Sequence, residues 1–151
     1  FAVLTLGLHD RLQGPLNSMF PREPMSGLGD FFNGMAQNLW LFALFMGPVL
    51  WIGVAGFEEL TRVFLLSRLW KIWSASGWRW FGVVLSAILF GLSHLYQGPA
   101  GIIDTAINGL ILAVAYLIFG RVIPLIISHY LYDAIQIVMV VILIQRGTIQ
   151  F

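Results

Sequence analysis

The chain alternates long apolar runs with short polar breaks, and the runs set the elements. Residues 31–57 contain no ionisable side chain. Gly47-Pro48 interrupts this run, but a Gly-Pro pair is too short to turn two antiparallel spanning helices around. One helix kinked at that pair is expected, continuing to about residue 70 past Glu58, Glu59 and Arg62. A second helix is expected over 80–96, carrying His94 near its end. Gln97-Gly98-Pro99 predicts a tight turn. A third helix covers about 101–120, with Asp104 and Asn108 inside. A fourth covers 122–145, with Pro124 in its first turn, where proline is tolerated, and with His129 and Asp133 further on. Each is roughly 17–24 residues, and about 20 residues at 1.5 Å each cross a bilayer core of about 30 Å. The predicted fold class is all-α: a polytopic transmembrane bundle of four main spanning helices, the first kinked at Gly47-Pro48.

The remaining stretch reads differently. Residues 9–30 hold three prolines, three glycines and five charges, which predicts a loop lying at the membrane surface. The first eight residues are apolar but too short to span. They lack a basic leader, so they do not read as a signal peptide. Since the chain opens on Phe1, the end of an upstream helix is expected here. The organisation is therefore 1–30 as a truncated helix end and surface loop, and 31–151 as the functional core.

Composition fixes the environment. Of 151 residues, 59% are hydrophobic and 10% charged, and the mean hydropathy is +0.87. A soluble domain usually carries about a quarter charged residues, so these charges are too few to coat a globule in water. A net charge of +1 offers no surface for tracking phosphates, which excludes a nucleic-acid partner. The chain is expected to be an integral membrane protein with the lipid bilayer as its surroundings. It has no cysteine, which removes thiol nucleophiles, disulfides and cysteine metal sites. Arg68, Lys71, Arg79 and Arg121 fall on one side and Arg11, Arg22 and Arg146 on the other. That bias places the 68–79 connection in the cytoplasm.

Position then sorts the few charges. Glu58, Glu59, Arg62, His94, Asp104, His129 and Asp133 all interrupt apolar helices, where an ionisable group costs at least a few kcal/mol unless paired or hydrated. Counted from the side of Arg68, Arg79 and Arg121, Glu58, His94 and His129 lie at depths of about 15, 22 and 12 Å. They can meet in one layer. Asp104 enters from the other side and is expected to stay outside it. His129 and Asp133 are four apart, on one helix face, as are Phe90 and His94. Glu58 and Glu59 are about 100° apart on a helix, so one is expected to meet the site while the other pairs with Arg62. The plain alternatives are helix-packing histidines, a structural ion pair and a bundle held by polar contacts. A Glu/His/Asp layer also describes a proton relay or substrate site in a transporter.

In order along separate hydrophobic helices stand Glu58-Glu59-x-x-Arg62, Phe90-x-x-x-His94 and His129-x-x-x-Asp133. Together with VVLSAILFGLSHL around His94 and NGLILAVAYLIFGRVIPLIISHYLYDAI up to Asp133, this set resembles the CPBP family of intramembrane proteases. That family includes type II CAAX prenyl endopeptidases and bacteriocin-processing or self-immunity proteins. The resemblance covers roughly residues 48–136. Here only two residues separate the Glu pair from Arg62, where the family usually has three, and Asp133 stands where many relatives have Asn. The family usually has additional upstream helices, so the resemblance also implies an N-terminally incomplete chain.

The resemblance implies an endopeptidase acting on a membrane-associated substrate, in a prokaryotic cell membrane, and sets no oligomeric state. It implies Glu58 with His94 as the water-activating pair, Glu59 with Arg62 as a supporting ion pair, and His129 with Asp133 as an oxyanion or metal element. Zinc is a candidate cofactor, held by His94, His129 and Asp133 with Glu58 or Glu59. A metal-free glutamate mechanism is equally compatible. An ionised Asp133 would repel an oxyanion, so it suits a metal ligand or a partner orienting His129. A non-proteolytic transporter, immunity protein or scaffold is the alternative.

Overall fold

The computed structural model describes residues 2–20, 27–72 and 76–149. Among them there are helices and no strands. In chain order these are α1 (Ala2–Met19), α2 (Leu28–Gln37), α3 (Leu39–Leu44), a π-helical run (Phe45–Gly56), α4 (Phe57–Ile72), α5 (Ser76–Ser93), a 3-10 turn (Leu95–Gln97), α6 (Gly98–Phe119) and α7 (Ile123–Gln145). The helical membrane bundle predicted from the sequence is thus present.

Among the described residues, three segments are long and apolar enough to cross a membrane: Leu39–Ile72, Leu95–Phe119 and Ile123–Gln145. The second predicted helix, over 80–96, corresponds to the shorter apolar stretch Gly77–Ser93, so four full-length spans are not confirmed. The predicted helix over 80–96 ends early because local side chains compete for its last carbonyls. Ser93 Oγ donates to the Phe90 carbonyl at 2.7 Å, and the His94 ring bonds the same oxygen. His94 leaves the helix at φ −102°, and the turn at Gln97-Gly98-Pro99 follows, with Gly98 at φ +73°.

The first predicted helix is built differently from the expectation. The break falls at Asn38, in an extended conformation, whose side chain caps α3 by accepting from the Trp40 and Leu41 amides. At Gly47-Pro48 the chain instead winds wide, through a π-helical run. Pro48 has no N–H to give an α-type bond, and a wider turn accommodates that loss. At its end the Phe57 amide donates to the Ile52 carbonyl, five residues back.

The expected surface loop over 9–30 is helical through residue 19. Along α1, Thr5 and Leu16 are buried, and His9 between them is half-buried, at a spacing close to the helical period. That face packs on α6 and α7, and the packing outweighs the cost of Pro15 inside the helix. The 21–26 part of the expected loop, with Arg22, and residues 73–75 of the 68–79 connection lie outside the described residues.

Small residues bring the helices together, as lipid supplies no hydrophobic drive between them. α5 packs along α6, and a Cβ on Gly91 would come within 2.7 Å of both Ala106 Cβ and the Ile102 carbonyl. Leu66, Val83 and Ala113 form a core between α4, α5 and α6, closed by Trp70 stacked on Tyr116. This core fixes α4 against α5 and α6 one turn from the charged cluster.

Candidate active site

Four helices deliver the polar residues to one place. α4 begins at Phe57, so Glu58 and Glu59 lie in its first turn and Arg62 one turn later. Glu59 is 0% exposed and Arg62 4%. Arg62 Nη2 lies 3.1 Å from Glu59 Oε1, while Nη1 donates to the Gly109 carbonyl of α6 at 2.7 Å. The guanidinium also sits 4.1 Å over the Phe90 ring, a contact worth about 2 kcal/mol when desolvated. Gly109 permits this arrangement: a Cβ there would stand 2.8 Å from Phe90 Cδ1 and 3.3 Å from Arg62 Nη1.

His129 of α7, 4% exposed, enters between the two glutamates. Its Nδ1–H donates to Glu59 Oε1 at 2.8 Å. Its Nε2 lies 3.6 Å from Glu58 Oε2 and 3.4 Å from Asp133 Oδ2. The adjacent carboxylates, about 100° apart on α4, also share a partner. Both reach one imidazole, from opposite ring nitrogens, and Glu59 holds Arg62 as well.

His94 stands apart from this cluster. Its Nδ1–H donates to the Phe90 carbonyl at 2.9 Å, which leaves Nε2 with its lone pair. The Phe90 ring separates the two histidines, 4.9 Å from the His94 ring and 6.0 Å from the His129 ring. A cavity of about 370 Å³ opens between α4 and α5, and Glu58, Arg62, Phe90 and His94 line it along with Phe57 and Thr61. His129, Asp133 and Glu59 are not among its walls. Among the described residues, the buried side-chain atoms with no hydrogen-bond partner are Glu58 Oε2, Glu59 Oε2, Arg62 Nε and Arg62 Nη2. Donors and acceptors at this cavity are thus left unsaturated, an uncommon and costly condition for buried groups.

Of the six residues that the resemblance marks, Glu58, Glu59, Arg62, His129 and Asp133 meet in this centre, and His94 stands beyond the Phe90 ring on the cavity that Glu58 and Arg62 also line. The zinc expectation fares differently. Among the described residues no three His, Asp or Glu side chains are placed to hold a metal ion. His94 bonds a carbonyl through one nitrogen, His129 faces carboxylates through both, and Phe90 lies between them. These positions do not form the proposed ligand set. Sequence reasoning missed Gly109, whose carbonyl holds Arg62. A glycine beside Asn108 in the middle of an apolar helix was its one signal. Asp104, expected outside the layer, pairs instead with His9 of α1 at 2.7 Å.

A family model described as type II CAAX prenyl endopeptidase Rce1-like matches residues 38–135. Neither a curated protein nor a solved structure matches the chain.

Proposed function

The chain belongs to the Rce1-like family of type II CAAX prenyl endopeptidases, within the CPBP proteases, and from that premise we propose that it hydrolyses a peptide bond of a membrane-associated substrate by a glutamate-activated water. The substrate class is a CAAX-type prenylated protein or a leader peptide, approached in a prokaryotic cell membrane with the 68–79 loop in the cytoplasm. One observation carries this reading. Of the adjacent glutamates, Glu58 faces the cavity together with His94, and Glu59 is sealed behind it against Arg62 and His129.

In this mechanism His94 Nε2 accepts a hydrogen bond from one O–H of the water and so aims its oxygen, and that hydrogen stays on the oxygen. Glu58 takes the other proton as the oxygen attacks the carbonyl carbon. The negative charge on the carbonyl oxygen is met by Arg62, which lines the same cavity and whose Nε has no hydrogen-bond partner. Glu58 then gives its proton to the leaving nitrogen as the C–N bond breaks, leaving a carboxylic acid and an amine. His129, outside the cavity wall, braces the two glutamates, and Asp133 holds His129 from the Nε2 side. Asp133 in place of Asn suits that bracing, because a carboxylate has no hydrogen to give to an oxyanion. The step as written needs no metal, because Glu58 and His94 between them hold and move the hydrogens of the water.

Purified protein in vesicles, offered a membrane-tethered prenylated CAAX peptide and a leader peptide, tests this directly. The expected result is a new carboxyl terminus detected by mass spectrometry, abolished in Glu58→Gln and unchanged by chelators. Cleavage lost to chelators and restored by zinc would contradict the metal-free step. No cleavage, with proton-linked uptake that depends on Glu58, would replace the protease by a transporter.

A further inference from the structure

The third histidine of the chain lies outside the catalytic centre, on a helix that precedes the family match. α6 and α7 meet directly through Leu112, Ala115 and Leu125, close to the turn at Gly120. Further along, α1 packs on both of them, and the link at its middle is polar. The His9 Nδ1–H donates to Asp104 Oδ2 of α6 at 2.7 Å. The same nitrogen lies 3.1 Å from the Tyr132 hydroxyl of α7, whose ring meets the imidazole edge-on at 5.9 Å. Gln13, one turn further along α1, stands 3.2 Å from that nitrogen. Asn108 is buried beside this group and lines with it a cavity of about 10 Å³, room for about one water.

Both bridged helices continue straight into the catalytic centre. Asn108 is followed by Gly109, whose carbonyl holds Arg62. Tyr132 lies three residues after His129 and just before Asp133. Relative movement of α6 and α7 would therefore carry the Arg62 anchor away from the imidazole that braces Glu58 and Glu59. We infer that His9 is a positioning residue: through Asp104 and Tyr132 it sets α6 against α7 and thereby keeps Arg62 and the glutamates in register. This clasp joins the catalytic core to a helix outside residues 38–135, and its kinetic consequence rests on the protease reading above.

The chain has no cysteine, so Ile103→Cys on α6 and Ile135→Cys on α7 accept spin labels with no background. In the otherwise unaltered protein the label-to-label distance distribution is narrow. His9→Ala broadens it, and His9→Gln, which can still donate to Asp104, keeps it narrow. In the cleavage assay His9→Ala lowers kcat at least about tenfold, a misplacement of a full 1 Å costing about 100-fold. KM stays within about twofold, and His9→Gln restores the rate. Should His9→Ala fail to fold, Asp104→Ala, which removes the acceptor, provides the same comparison. An unchanged distribution in the clasp variant overturns the inference, as does a broadened distribution with an unchanged kcat. If the parent protein cleaves no peptide, the protease reading fails, and the distance measurement still decides whether the clasp exists.

Discussion

Arg62 holds three partners at once: the Gly109 carbonyl, the Glu59 carboxylate and the Phe90 ring. Only a planar fork with several donors can do this and still leave N–H groups towards the cavity. Lysine keeps the charge but offers one compact ammonium. Arg62→Lys is therefore expected to lower kcat at least about 100-fold, with KM within about threefold, measured on the folded fraction. A kcat within about tenfold of the parent would remove Arg62 from oxyanion stabilisation. The charged members of this centre were legible in the sequence, because an ionisable side chain inside an apolar run stands out against its background. Gly109 was not, because it acts through a backbone carbonyl that every residue possesses. The missing Cβ that admits Phe90 becomes meaningful only when α5 is packed on α6.

At the scale of elements, the apolar runs located α4, α6 and α7, since spanning length and hydrophobicity are properties of the sequence itself. Their windings were less legible. Apolar content does not distinguish an α turn from a π turn, so the accommodation of Pro48 through Phe45–Gly56 read as a kink. The end of α5 depends on Ser93 and His94 both turning back to the Phe90 carbonyl. The part of α1 from residue 9 read as a loop because Gly14, Pro15 and its charges are poor helix material, and only contact with α6 and α7 favours the helix there. The α5/α6 contact yields a prediction of its own. A valine at Gly91 must displace Ala106 or the Ile102 backbone, so Gly91→Val is expected to destabilise the protein by about 1–3 kcal/mol. It would also alter the cavity wall that α5 provides. Chemical denaturation in detergent checks this, and a stability equal to the parent's would contradict the close packing.

The molecule as a whole separates a layer that reacts from a layer that holds. Glu58 and His94 face a cavity between α4 and α5, while Glu59, His129 and Asp133 sit behind it, tied to α4 and α7. The sequence placed the two glutamates about 100° apart on one helix, but which of them faces the cavity depends on the rotation of α4. That rotation is fixed by Leu66 and Trp70 against α5 and α6, and no sequence spacing states it. The two roles differ in energy as well as in chemistry. Removing one member of a buried charge set leaves its partners uncompensated, at about 3–5 kcal/mol, and Glu59 is the member in contact with both Arg62 and His129. The decisive measurement compares Glu58→Gln with Glu59→Gln for peptide cleavage and for unfolding. The predicted result is that Glu58→Gln loses about 1000-fold in kcat at nearly unchanged stability, while Glu59→Gln loses several kcal/mol of stability. A Glu58→Gln protein that cleaves at the parent rate, or a Glu59→Gln protein that is fully stable and the more inactive of the two, would contradict the account.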